Sequence, residues 1–169
     1  MFERAVVLMC SGLLLACAGP GAPPSSAPGF ATATAILRDA DGAPRGTVAL
    51  SDVIGGVDVV LDASAMMPGA YAFHIHAIGR CTPPDFASAG PHFNPTGALH
   101  GGHRGDLPNL VVDASGTGRV SATMAEVTLA GLLDGDGAAA VVHAKPDDGV
   151  TDPTGNAGPR LACGEIVPK

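Results

Sequence analysis

Six histidines hold most of the chemistry this sequence could do: His74, His76, His92, His100, His103 and His143. His74 and His76 stand two apart in Ala-Tyr-Ala-Phe-His-Ile-His-Ala-Ile, residues 70–78. In a strand that spacing puts both imidazoles on one face and turns Phe73 and Ile75 to the other. Two imidazoles side by side on a rigid strand form a natural chelate. Imidazole suits copper, zinc, iron and nickel, so ligand type alone leaves the metal open. His92, His100, His103 and Asp106 fall together in the Gly- and Pro-rich stretch 90–108. Three imidazoles and one carboxylate make a tetrahedral zinc set without thiolate. The bland alternative is a solvated polar loop that binds nothing. It leaves unexplained why three of the six His lie within 12 residues, 92–103.

Such ligands need stiff elements behind them, and the chain from residue 30 onward reads as antiparallel β. Phe30 to Arg38 alternates in character and ends at a turn, Asp-Ala-Asp-Gly42. Further strands are expected over Arg45–Asp52, around Val57, Val59 and Leu61, and over Ala70–Ile78, Leu110–Ala114, Gly118–Met124, Ala138–Ala144 and Leu161–Val167. About eight short strands with frequent turn residues predict an all-β sandwich or flattened eight-stranded barrel. Two irregular stretches, 79–108 and 145–159, interrupt them, and loops of that length in a compact domain are usually functional.

Composition excludes other classes. The 169 residues include 24 Gly and 15 Pro, and after residue 29 no stretch free of both exceeds 12 residues. Both residues are costly inside helices, so a helical bundle or coiled coil is excluded. A net charge of −7 argues against a nucleic-acid partner, whose phosphates require a basic face.

The first residues read as an address. An apolar run, Ala5 to Leu15, is too short to span a bilayer and has the length of a signal-peptide core. It ends in Leu14-Leu15-Ala16-Cys17, which resembles the lipobox of bacterial lipoproteins, where the Cys is acylated and begins the mature chain. An ordinary cleaved signal with an incidental Cys17 is the alternative. The n-region is weakly charged, because Glu3 cancels Arg4. Residues 18–29, all Gly, Pro, Ala and Ser, cannot build a core and read as a tether. The expected organisation is a lipoprotein signal over 1–17, a tether over 18–29 and one domain over 30–169. This implies an exported protein of the periplasm or cell envelope, lipid-anchored to a membrane. Ala18 is not the Asp that typically retains lipoproteins at the inner membrane, which favours the outer one. With Cys10 in the signal and Cys17 lipidated, Cys81 and Cys163 remain, and a lone pair in an exported protein is expected to form a disulfide.

Six segments then carry a family resemblance. They are His-Ile-His (74–76), Cys81, Ser-Ala-Gly-Pro-His-Phe-Asn-Pro (88–95), His-Arg-Gly-Asp-Leu (103–107), Val-Val-His-Ala-Lys-Pro-Asp-Asp (141–148) and Gly-Asn-Ala-Gly-Pro-Arg-Leu-Ala-Cys-Gly (155–164). In this order, and across most of residues 30–169, they resemble the copper/zinc superoxide dismutases of bacterial exported type. The resemblance implies a Greek-key β-sandwich or flattened barrel with two long functional loops. It implies copper held by His74, His76, His92 and His143, and zinc held by His92, His100, His103 and Asp106, one of each per chain. His92 would bridge both metals as an imidazolate and act in catalysis with Arg160, which would guide the superoxide anion. Asp147 would link a copper-ligand His to a zinc-ligand His from behind, and Cys81 and Cys163 would be the family disulfide.

The implied reaction makes oxygen and hydrogen peroxide from superoxide, so it needs a metal that gains and loses one electron. Zinc is not redox-active and would hold His92 in place. Two features depart from the family pattern. Only Gly101-Gly102 separates His100 from His103, where family members commonly have a longer loop, so these glycines are expected to take unusual backbone angles. Residues 144–159 are shorter than in eukaryotic members and carry one Lys against Asp147, Asp148 and Asp152. Weak long-range steering of the anion follows. Two other readings stand beside the enzyme: a relative that binds or passes on metal without turnover, and a metal-free β-module on a lipid anchor.

Overall fold

The computed structural model describes Met1 and residues 31–169, so Cys17 and the segments read as signal and tether lie outside the described residues. Nine strands follow: β1 (Thr32–Arg38), β2 (Pro44–Val53), β3 (Gly56–Ala63), β4 (Gly69–His76), β5 (Asp106–Val112), β6 (Gly118–Ala125), β7 (Ala139–His143), β8 (Arg160–Glu165) and β9 (Val167–Pro168). One four-residue helix, α1 (Leu129–Leu132), sits between β6 and β7. Every pairing is antiparallel. The spatial order is β2-β3-β6-β5-β4-β7-β8-β1, and β1 pairs back to β2, so eight strands close into a barrel with the short β9 beside β1. β3 lies next to β6, and β4 next to β7, so the chain twice crosses between non-sequential neighbours in the Greek-key manner.

Alternation builds the interior. Leu50 faces Val59 and Val48 faces Leu61 across β2 and β3, all four buried, while the alternate residues Thr47 and Ala49 are exposed. Phe73 and Ile75 fill the centre with no exposure, and each such burial stabilises by about 1.5–3 kcal/mol. β7 reads differently because both of its faces are covered. Ala140 and Val142 point into the barrel, whereas Ala139 and Val141 form a second small cluster with Phe86, Ala89 and Cys163 of the covering segments. The same cover explains why His74 and His76, on the outer face of β4, are as buried as Phe73.

Two boundaries differ from expectation. Strand β5 begins at Asp106, inside the stretch read as irregular, because Asp106 pairs with His74 and Leu107 with Phe73 before the register shifts. The α1 turn, capped by the Thr128 side chain accepting from the Gly131 N–H, was not expected; four residues are too few to show a helical period. At the far end of β1 the Lys169 N–H donates to the Thr32 carbonyl at 2.9 Å, so these two residues adjoin.

Candidate metal centre

Three backbone pairings assemble the centre. His74 lies opposite Asp106 between β4 and β5, His76 pairs with His92 through an isolated bridge, and His143 lies opposite Arg160 at an irregularity between β7 and β8. The barrel thereby supplies His74, His76, His143 and Asp106 from strands and ties His92 to a strand. Only His100 and His103 come from loop outside any strand or bridge. All six His are at most 9% exposed.

They form two sets that share one residue. Ligand atoms of His74, His76, His92 and His143 lie within 4.8 Å of one another, as do those of His92, His100, His103 and Asp106. Hydrogen bonds on the outer ring nitrogens fix which atoms face inward. His76 Nδ1 bonds to the Gly90 carbonyl at 2.8 Å and His143 Nδ1 to that of Gly158 at 3.1 Å, leaving their Nε2 atoms 3.2 Å apart in the centre. His74 Nε2 meets Asp147 Oδ2 at 2.5 Å, which turns Nδ1 inward. His92 Nδ1 lies 2.8 Å from Asp106 Oδ1, and its Nε2 points to the other set. His74 Nδ1, His92 Nε2, His100 Nδ1 and His103 Nδ1 are buried without a hydrogen-bond partner. Leaving such an atom unpaired costs about 1–3 kcal/mol, so four together mark a site built for ligation. Four imidazole nitrogens fit copper, and three imidazoles with one carboxylate fit zinc.

Protonation favours ligation. Burial depresses His76 to about 2, with Arg160 adding to the effect against the Gly90 hydrogen bond. Burial likewise lowers His74 to about 3 and His143 to about 4, helped by the neighbouring His92. These rings stay neutral, as metal ligands must. Burial alone would raise Asp106, but the His92 and Gly101 hydrogen bonds and the nearby His103 and His100 hold it down at about 2.

The supporting residues explain the rigidity. Asp147 spans the sets, with Oδ2 on His74 and Oδ1 on His100 Nε2 at 2.9 Å. Asn109 of β5 clamps its backbone from both sides: the Asp147 N–H donates to Asn109 Oδ1 at 2.8 Å, and Asn109 Nδ2 donates to the Asp147 carbonyl at 3.0 Å. Gly101 takes the expected left-handed backbone, φ +82°, and a Cβ there would meet the Gly149 carbonyl oxygen at 2.4 Å. Gly102 needs no such angle.

Arg160 is half-buried beside the copper set. Its two terminal nitrogens donate to the Phe86 and Gly90 carbonyls at 2.5 and 2.6 Å. The Gly90 oxygen therefore serves both Arg160 and the copper-set ligand His76. Arg160 lines an open cleft of about 700 Å³ with Asp85, Ala87, Pro91 and Gly158 among its walls. Cys81 and Cys163 are disulfide-bonded, with Cα atoms 5.6 Å apart, tying the segment that carries Phe86 and Gly90 to β8. The bond closes a loop of 82 residues, worth about 4.5 kcal/mol in the chain-entropy account. Reading residue types missed Asn109, Asp152 and the Gly90 carbonyl, since none belongs to a ligand pattern.

Comparison with known proteins agrees with this geometry. A family model described as copper/zinc superoxide dismutase matches residues 44–166. The chain is 42% identical over 146 residues to superoxide dismutase (Cu-Zn) 2 of Aquifex aeolicus, covering 79% of this chain and 85% of that protein. It is 39% identical over 148 residues to the superoxide dismutase (Cu-Zn) of Caulobacter vibrioides, covering 80% and 85%. Among solved structures it resembles that of a superoxide dismutase-like protein from Bacillus subtilis, with TM-score 0.75, 35% identity, and 79% and 97% of the two chains covered. The matched segment contains every ligand of both sets, and on that ground the chain belongs to the copper/zinc superoxide dismutase family.

Proposed function

We propose that this chain is a lipid-anchored copper/zinc superoxide dismutase of the bacterial cell envelope, organised as signal 1–17, tether 18–29 and catalytic domain 30–169. The activity is the conversion of two superoxide ions and two protons into one oxygen and one hydrogen peroxide. The observation that carries it is His92, whose two ring nitrogens face two complete ligand sets. When bound, copper supplies the one-electron oxidation and reduction by cycling between Cu(II) and Cu(I), and zinc supplies a fixed charge.

The chain's own groups do the rest. His74, His76 and His143 hold one set through neutral nitrogens locked by Asp147, Gly90 and Gly158. Asp106 Oδ1 holds the far nitrogen of the His92 ring and sets its orientation, and His100 and His103 complete the ligand set on that side. His92 Nε2 is the nitrogen placed to accept a proton and return it during turnover. Arg160 presents a fixed cation to the incoming anion, in a cleft where partial burial strengthens its field.

The Cys81–Cys163 disulfide belongs to an extracytoplasmic, oxidising compartment. The Leu-Leu-Ala-Cys17 segment and the tether behind it support the anchor, and Ala18 supports the outer membrane as its destination. The deciding experiment loads the purified domain with copper and zinc, measures both by elemental analysis and assays superoxide removal. About equal metal with rapid removal is expected. Full metal content without turnover would mean a copper-handling relative, and no metal uptake would mean a structural module.

A further inference from the structure

The loop from His100 to His103 is short, and its backbone donors are all taken. The Gly101 and His103 N–H groups donate to Asp106 Oδ2 at 2.9 and 3.2 Å, and the Gly102 N–H donates to the Leu99 carbonyl at 3.0 Å. The fourth donor, the His100 N–H, reaches 52 residues along the chain to Asp152 Oδ1 at 2.8 Å. Asp152 lies in the segment after β7 that also carries Asp147. His100 is thus held twice from that segment, by its ring on Asp147 and by its backbone on Asp152. Between the two contacts the segments touch directly, with Gly101 against the Gly149 carbonyl. At Gly155 an added Cβ would sit 2.4 Å from His100 Nε2 and 2.2 Å from Asp147 Oδ1, so the chain there closes over the Asp147–His100 bond itself.

We propose that Asp152 is a positioning residue for zinc, standing in for the loop length that the Gly101-Gly102 link lacks. A longer loop could be fixed by its own packing. Here His100 must present Nδ1 to the ion from a four-residue loop, and two carboxylates of a distant segment hold it there. A charged acceptor on a backbone N–H makes a stronger hydrogen bond than a neutral one. Removing a partner that orients a metal ligand typically lowers metal affinity ten- to hundredfold. The inference rests on zinc binding by His92, His100, His103 and Asp106.

The test uses the full domain and zinc alone, with affinity read by chelator competition. Cobalt(II) in the same site gives a visible spectrum that reports its geometry. Asp152→Ala should bind zinc about ten- to hundredfold more weakly. It should alter the cobalt spectrum, unprotect the His100 amide in hydrogen exchange and leave copper affinity at the wild-type value. Asp152→Asn keeps an acceptor oxygen and should restore most of the affinity, the spectrum and the amide protection. Wild-type zinc affinity in Asp152→Ala overturns the proposal. So do equal losses in the Ala and Asn variants, or a parallel loss of copper affinity, which would signal general loosening. If Asp152→Ala does not fold, the Asn variant still decides, since an unprotected His100 amide there excludes the carboxamide rescue. A wild type that takes no zinc or cobalt would instead refute the zinc site on which the inference stands.

Discussion

His74 and Asp106 face one another across the β4–β5 pairing, and each belongs to a different ligand set. The copper and zinc sites are therefore two ends of one register. Because side chains alternate along a strand, a one-residue slip of β5 would turn Asp106 away while leaving His74 in place. The register shift between Tyr71 and Phe73, just beyond this pair, lets β5 reach Asp106 in the needed orientation and also places Asn109 against Asp147.

His143→Ala should abolish nearly all dismutase activity and leave a folded barrel. His143 ends β7 on the face turned to the copper set, while Val142 before it holds the core. Activity and copper content of the variant, with circular dichroism as the fold control, check this. Retained activity would refute the copper assignment.

Arg160→Glu should lower the second-order rate far more than Arg160→Lys. Local potential changes association rates by about 10–1,000-fold where encounter is limiting. Lys keeps the charge but loses the fork that spans the Phe86 and Gly90 carbonyls, so a loss below about tenfold is expected. Equal rates in fully metallated Glu and Lys variants would make Arg160 purely structural.

The metal-free protein should lose thermal stability as pH falls from 6.5 toward 4. His74, His76 and His143 sit near 3, 2 and 4 when folded, against 6.5 for an ordinary His. Between those values the unfolded chain binds the protons and the folded chain does not. Stability is thus complete above 6.5 and declines as pH drops through the window. Asp106 adds its own loss only below 3.8, as pH falls toward 2, so the upper window isolates the histidines. Melting curves of the metal-free domain between pH 7.5 and 4.5 test this, and a flat melting temperature would contradict it.

Cys17→Ser should release the protein from the membrane fraction or block its processing. Fractionation and mass spectrometry of the native N-terminus are the measurements. An unacylated wild type with unchanged membrane association would remove the anchor from the account.

Much of the centre is legible in the sequence. The His74–His76 spacing declared a strand with two like-facing imidazoles, and the clustering of His92, His100 and His103 declared a ligating loop. The eight long strands are visible as short apolar or alternating runs bounded by turn residues, to within a few residues of their ends except at the start of β5. What stayed hidden depends on long-range pairing. Asp106 lay within a Gly- and Pro-rich run, and only its partner His74 makes it a strand residue. Asn109 and Asp152 look like ordinary polar residues until Asp147 and His100 arrive beside them. The Gly90 carbonyl, shared by His76 and Arg160, has no side chain to announce it.

The meeting of Lys169 with Thr32 has a practical side. β1 runs from there to Arg38, which pairs with Cys163, so the junction sits about 20 Å of strand away from Cys163, and Arg160 lies three residues further along β8. A few residues suffice to sew Lys169 to Thr32, and the loop could be cut instead at Ile54, the 96% exposed tip between β2 and β3. Such a circular permutant of residues 32–169 would keep every barrel pairing and both ligand sets with its ends at the β2–β3 tip.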